Sequence, residues 1–284
     1  MGVLIEAIIP TKDAPEERLR RAVESARAVA DRVVIVDDGS AEEVLVEHAD
    51  VVRRSTSGGP SAARNIGLSV SCGQWVVFLD DDDVLIAEGV RAAVNLAERL
   101  NAAAVVSARV EVREGADGHA ERVREAPTEW AGGTLASPGL VFTPIGLFGA
   151  SGLVVRGEAA RQDRFDEALW IGEDRDYLRR LGGAGPIAVN ATPAVRVALR
   201  DDGNLTSAAH LERRVADHVT LLERWWGEES AAGLGAGTRW LLSACAKGGV
   251  SAAAWSALVS AARERGIGVG IKTRLRRMRI GARP

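Results

Sequence analysis

The chain has 284 residues, 46% of them apolar and 26% charged, with a formal net charge of −3. These are the proportions of a globular protein with room for one large domain or two small ones, and an acidic body argues against nucleic acid as a partner. The two cysteines, Cys72 and Cys245, have neither metal-ligand nor redox-motif spacing, which suits a reducing cytosol.

Strand and helix patterns alternate through the first hundred residues, predicting an α/β fold with a parallel sheet and crossover helices. Val3 to Ile9 reads as a strand. Its start lacks the basic region and cleavage site of a signal peptide. Pro15 to Ala30 follows as an amphipathic helix with Leu19, Val23, Ala26 and Ala30 on one face. Val33 to Val36 is a second strand, ending at Asp37-Asp38-Gly39-Ser40. A short helix is expected from Glu42 to Glu47 and a short strand at Val51-Val52. The turn Ser57-Gly58-Gly59-Pro60 leads into a helix over Ser61 to Ser69.

The most informative run comes next. Trp75 to Leu79 is a buried strand by its aromatic and β-branched content, and it ends in Asp80-Asp81-Asp82-Asp83. Four adjacent carboxylates repel one another by several kcal/mol unless cations are near. Open α/β sheets bind ligands at the carboxyl edge of their strands, so Asp37-Asp38 and the four aspartates should share one crevice. A divalent metal joining carboxylates to a phosphorylated ligand accounts for them, as does an acidic loop or helix cap. Asp83 suits the start of the helix over Ala87 to Leu100. Arg64 and the helix N-terminus beside it could face a diphosphate.

After the strand from Ala104 to Val112 the rhythm changes. Residues 113–150 are rich in Gly, Pro, Thr and Ser, as in hairpins and loops. Gly152 to Val155, Ile187 to Val189 and Ala194 to Leu199 read as strands, and Glu173 to Leu181 as a helix. From Ser207 helices dominate: Ser207 to Trp226, Thr238 to Lys247 and Ala252 to Arg265. Trp240 to Ser260 is apolar, yet Lys247-Gly248-Gly249 interrupts it short of a membrane span. His210 and His218 lie eight apart and form no metal pair. Lys272, Arg274, Arg276, Arg277, Arg279 and Arg283 make the tail basic, either as a peripheral membrane contact or as a solvated end.

Five strings, in order and with consistent spacing, resemble family 2 glycosyltransferases. They are Ile8-Ile9-Pro10-Thr11, Val34 through Ser40, Gly59 through Gly67, Asp80-Asp81-Asp82, and Arg164 through Leu169 followed by Gly172-Glu173-Asp174. The resemblance implies a GT-A fold, a mixed, mostly parallel sheet flanked by helices, with a C-terminal helical extension. It implies a nucleotide-sugar-binding half over 1–112, an acceptor-binding half over 113–206, and the extension with its basic tail over 207–284. The implied activity is inverting, metal-dependent sugar transfer from a nucleotide-sugar donor, UDP-sugar favoured, to a glycan or lipid-linked saccharide. It would serve surface polysaccharide biosynthesis in the cytoplasm, at most peripheral to the inner face of the membrane.

The resemblance also implies roles. Asp37 and Thr11, beside Pro10, would hold the base, Asp80 the ribose, and Arg64 the diphosphate, with Asp81 in the turn of the donor site. Asp82 would coordinate Mn²⁺ or Mg²⁺. Asp174 would be the catalytic base, assisted by Glu173, and Arg200 would reach the diphosphate from a closing loop. Trp170 would stack on a sugar or pack in the core. Two other classes compete. A Mg²⁺-dependent phosphohydrolase needs Asp-x-Asp at the Asp37 loop and a later supporting lysine, and neither is evident. A non-catalytic nucleotide-binding domain predicts a broken acidic motif, whereas Asp82 and Asp174 are both present.

Overall fold

The computed structural model describes residues 4–115, 118–142, 147–199, 210–247 and 250–270. These residues fall into two compact units. One comprises 1–138, 146–168 and 173–200, the other 139–145, 169–172 and 201–284. Arg200 and the basic residues of the tail lie outside the described residues.

The first unit is built on a nine-stranded sheet. In chain order its first half runs β1 (Ile5–Thr11), α1 (Glu16–Arg27), β2 (Arg32–Asp37), β3 (Asp50–Arg53), α2 (Gly59–Val70), β4 (Trp75–Phe78), β5 (Val84–Leu85) and α3 (Ala87–Leu100). The second half runs β6 (Ala104–Gly115), β7 (Gly118–Arg124), β8 (Val154–Arg156), α4 (Gly157–Gln162), α5 (Glu173–Leu181) and β9 (Ile187–Leu199). The strand order is β3-β2-β1-β4-β8-β6-β9-β5, with β7 pairing on β6. Strands β1 to β4 are parallel to one another, and β6 is parallel to β9. The remaining pairs are antiparallel, so the sheet is mixed.

Alternation along the central strands divides the core. Ile5, Ala7 and Ile9 of β1 join Leu19, Val23 and Ala26 of α1 on one face, where Val90, Ala93, Val94 and Ala97 of α3 also pack. The spacing of those α3 residues is the helical i, i+3, i+4, i+7 stripe. Val34 and Val36 point to the opposite face, against Ala63 and Ile66 of α2. Helix α2 comes very close to β1 at Gly67, where an added Cβ would lie 2.4 Å from the Ile8 side chain. That close approach brings the first turn of α2 to the carboxyl edge of the sheet.

Several expected elements differ, among them the helix expected from Thr238, which begins at Glu228. Residues 42–47 form no helix; Val44 and Val46 instead alternate, half-buried, against the α1 face of the core. Six residues are too few to nucleate a helix when tertiary packing rewards extended chain. The two late strands are one, β9, with an irregular register opposite Ser107–Arg109 that accommodates Thr192-Pro193. Asn190 stabilises it by donating to the backbone oxygens of Gly89 and Thr192 and to Ser107 Oγ. Asp83 does not start a helix: it lies before β5, buried, and accepts the Ala198 N–H at 2.9 Å.

The second unit contains α6 (Leu211–Trp225), α7 (Glu228–Cys245) and α8 (Ala252–Glu264). Leu211, Val215, Leu222, Leu234, Leu241, Leu242, Leu258 and Ala262 are buried there. His218 shares a 2.9 Å hydrogen bond with Thr238 Oγ1, tying α6 to α7. No described helix is long and apolar enough to cross a membrane.

Candidate active site

Parallel register assembles the base of the site. Thr11, last in β1, sits beside Asp37, last in β2, and Pro10 beside Val36. On the other flank β1 aligns Ile8 with Phe78, which carries the register forward to Thr11 beside Asp81. Thr11 Oγ1 donates to Asp81 Oδ2 at 2.7 Å. Three sequence-predicted residues thus form one row across the carboxyl edge, as topology requires of adjacent parallel strands.

Asp37 is fully buried. Its Oδ1 accepts the Ser40 N–H at 2.9 Å, while Oδ2 has no hydrogen-bond partner and lies 3.5 Å from Arg53 Nε. A buried acceptor left without a donor costs about 1–3 kcal/mol. The Arg53 ion pair offsets the charge but leaves the acceptor without a hydrogen bond, which a ligand N–H would supply. Asp38 plays a different part, which no local pattern marks. It accepts from Arg54 Nη1, Ser57 Oγ and the backbone N–H groups of Gly58 and Gly59, fixing the turn that starts α2.

The four aspartates separate by environment. Asp80, its side chain 40% exposed, is half-buried like Asp81 and Asp82, whereas Asp83 is buried. Burial, followed by the charges of Asp82 and Asp80, pushes Asp81 up to about 6, with the Thr11 hydroxyl opposing. Burial and the charges of Asp80 and Asp82 raise Asp83 well above the usual carboxylate range. The Asp80 N–H donates to Ser151 Oγ at 3.3 Å.

Arg64 binds this edge to α5. Only 4% exposed, it donates from Nη2 to Asp80 Oδ1 at 2.8 Å and from Nη1 to Glu173 Oε1 at 2.9 Å. Its guanidinium lies 5.3 Å from the Phe165 ring centre, and its Nε is buried without an acceptor. Burial works against its charge, but the two carboxylates outweigh that and hold it protonated. The arginine expected to reach a diphosphate is therefore already engaged with two acids. Next to it, Asn65 donates to the Phe165 carbonyl and Glu167 Oε1 and accepts the Phe165 N–H. In this way α2 holds the Arg164–Leu169 string in place.

Glu173 and Asp174 open α5, where the helix dipole favours carboxylates. Glu173 is 8% exposed. Burial first, then the Asp174 charge, pushes it up to about 7 against the pull of Arg64. Burial also raises Asp174, opposed by Arg175, whose N–H donates to Asp174 Oδ1 at 2.7 Å. Both carboxyls are thus held above the ordinary carboxylate range, the direction that suits a proton acceptor.

The residues just before α5 are anchored within the second unit. Asp217 of α6 accepts the N–H groups of Trp170 and Ile171 at 3.1 and 3.0 Å. Gly172 has φ +88°, and an added Cβ would lie 2.9 Å from Leu221 Cδ1, so only glycine fits without strain. Trp170 is 37% exposed and stacks with the Arg213 guanidinium, 5.3 Å from its ring centre. It is neither buried core nor a bare sugar platform.

A family model described as glycosyl transferase family 2 matches residues 6–148, half of the chain. The chain belongs to glycosyl transferase family 2. Among curated proteins, the pre-mycofactocin glycosyltransferase of Mycobacterium tuberculosis is 31% identical over 69% of this chain and 44% of its own length. The succinoglycan biosynthesis protein ExoO of Rhizobium meliloti is 27% identical over 72% of this chain and 64% of its own. An uncharacterized glycosyltransferase of Haemophilus influenzae is 44% identical over 20% of this chain and 21% of its own. The chain thus spans less than two thirds of the length of these relatives. Among solved structures, S. aureus TarS 1-349 in complex with UDP superposes with a TM-score of 0.62 at 17% identity. The superposition covers 98% of this chain and 92% of that one. The same protein with UDP-GlcNAc gives 0.60 at 18% identity, covering 98% and 79%. The fold is GT-A, a mixed α/β sheet flanked by helices.

As a family 2 chain, the protein brings Pro10, Thr11, Asp37, Arg64, Asp80, Asp81, Glu173 and Asp174 into one unit, at or next to the carboxyl edge of one sheet. Asp82 lies in the same turn, half-buried. Among the described residues no three Asp, Glu, His or Cys side chains form a ready-made metal cage. The acidic turn could hold a cation: burial and then their mutual charge hold Asp81 and Asp83 above the ordinary carboxylate range, a repulsion that a cation would relieve, and hard divalent ions accept one or two carboxylates and complete their shell with phosphate oxygens.

Proposed function

We propose that this protein is an inverting, metal-dependent glycosyltransferase that moves a sugar from a nucleoside diphosphate, UDP favoured, to a hydroxyl of a glycan or lipid-linked saccharide. The observation that carries the donor reading is the fully buried Oδ2 of Asp37 beside Thr11, which accepts no hydrogen bond and has an ion pair with Arg53 at 3.5 Å. It suits the ring N–H of a uracil-like base. Asp80, 40% exposed just past the end of β4, suits the ribose hydroxyls. Asp82 is the proposed ligand for Mn²⁺ or Mg²⁺, whose charge would stabilise the leaving diphosphate.

Transfer needs a carboxylate on the face opposite the leaving group. Asp174 takes the acceptor hydroxyl's proton as that oxygen bonds to the anomeric carbon. The bond from that carbon to the diphosphate breaks, and the diphosphate departs with the electron pair. Glu173, paired with Arg64, fixes the base against Asp80. A positioned base of this kind supplies about 10²–10⁴-fold. Arg200, outside the described residues, is a further proposed diphosphate contact. The name of the Rhizobium relative, a succinoglycan biosynthesis protein, supports polysaccharide biosynthesis as the setting, with a cytoplasmic location and membrane contact through the basic tail as further parts of the proposal.

Thermal shifts with UDP, GDP, CDP and dTDP, each with and without Mn²⁺, test the proposal on the wild type and Asp82→Asn. Metal-dependent stabilisation by one nucleotide, lost in the variant, is expected. An equal response to free phosphate, or no response to any nucleotide, sinks it. Asp174→Asn should keep donor binding and lose transfer.

A further inference from the structure

The hairpin of β6 and β7 brings a second arginine to the base, one that no sequence motif marked. Arg109 follows the register irregularity between Ser107 and Arg109 on β6, and such bulges re-aim side chains next to active sites. Its Nη2 donates to Glu111 Oε1 at 3.2 Å. Glu111, buried at 7% exposure, also receives Arg124 from β7 through Nε and Nη2. Two guanidinium groups thus share one carboxylate, which leaves one positive charge over.

That surplus charge faces the base. An ideal Cβ on Gly149 would lie 3.4 Å from Arg109 Nη1 and 3.8 Å from Asp174 Oδ2. The glycine therefore keeps open a small space bordered by a cation on one side and the catalytic carboxylate on the other. Arg109 Nε is shielded without an acceptor, and the side chain as a whole is 20% exposed. Phe148, next to Gly149, packs with the half-buried Trp130 at 6.4 Å between ring centres, supplying an apolar wall nearby.

We infer that Arg109 and the space over Gly149 form an anion subsite for the acceptor, which takes a phosphate or carboxylate carried a few bonds from the attacking hydroxyl. This rests on the glycosyltransferase reading and narrows its acceptor to acidic saccharides or sugar phosphates. The arginine offsets the repulsion such an anion meets from Asp174 and Glu173. It also fixes which hydroxyl reaches Asp174, because guanidinium and oxyanion bind in a defined plane.

The test uses the full chain saturated with UDP and Mg²⁺ and titrates glucose, glucose 6-phosphate and glucuronate by calorimetry. In the wild type one or both anions should bind at least about tenfold more tightly than glucose. Binding of glucose 6-phosphate alone assigns the subsite to phosphate, and of glucuronate alone to carboxylate. Arg109→Met should bring the three sugars to within about twofold of one another without changing UDP affinity. Gly149→Ala fills the space while leaving the Arg109–Glu111–Arg124 pairs intact, and should do the same. No anion preference in the wild type, or an undiminished one in both variants, overturns the inference. Failure of the wild type to bind UDP would instead overturn the underlying function.

Discussion

Arg64 Nη1 donates to Glu173 Oε1 across 2.9 Å, although the two residues are 109 positions apart in the chain. The same guanidinium holds Asp80 at 2.8 Å, so one buried cation joins the carboxyl edge of the sheet, the proposed donor site, to the helix that carries the proposed base Asp174. Removing one member of a buried pair strands the other, at a cost of about 3–5 kcal/mol. Arg64→Met should therefore lower unfolding free energy by that order in urea titrations. Arg64→Lys should recover little, because one ammonium cannot span two carboxylates as the planar fork does.

The acidity of Glu173 gives a prediction with a definite sign. Burial and the Asp174 charge raise it from an ordinary 4.5 to about 7, so between those values the folded state holds a proton that the unfolded chain has released. Stability attributable to this group is thus greatest below pH ~4.5 and falls as pH rises toward ~7. Glu173→Gln removes the titration. Relative to the wild type, the variant should gain a few kcal/mol across that window, read as the difference between two stability profiles. A constant difference across the window would show that Glu173 is ionised throughout.

The parallel half of the fold was legible because buried parallel strands are continuous apolar runs and their helices carry a 3.6-residue stripe. Helix α5 begins at Glu173 and ends at Leu181, the bounds that the sequence suggests. What stayed hidden depends on long-range pairing. Asp38 looks like a second ligand beside Asp37 until its four donors from residues 54–59 are seen. Arg109, Glu111 and Arg124 are unremarkable charges in a hairpin until β6 and β7 pair. Thr192-Pro193 falls between two expected strands, yet Asn190 absorbs it into one. Local pattern reports which residues form the edge of the sheet; only register reports which of them face each other.

Asp38 supports a test of positioning without contact. Its carboxylate satisfies two backbone N–H groups and two side chains at the entry to α2. Asp38→Ala leaves buried donors unmet, at about 1–3 kcal/mol for the group, and frees the turn that sets Arg64. The expected outcome is a lower melting temperature together with weaker UDP binding. Asp38→Asn should fall between, since one oxygen still accepts. Unchanged UDP affinity in Asp38→Ala would show that the turn does not govern the donor edge.

Asp217 lies in the other unit and bears on the base through the chain itself. It accepts the N–H groups of Trp170 and Ile171, with Arg213 Nε donating to it at 2.9 Å, and the strained Gly172 follows. Glu173 is the next residue, so releasing this anchor loosens the first turn of α5. Asp217→Ala should lower kcat about tenfold or more while leaving UDP affinity and its metal dependence unchanged. A structural loss alone would lower the melting temperature and scale all activities by the folded fraction. The discriminating measurement is therefore kcat per folded molecule, with UDP-binding sites counted by calorimetry. Gly172→Ala should produce the same split, because φ +88° cannot be held by alanine without strain.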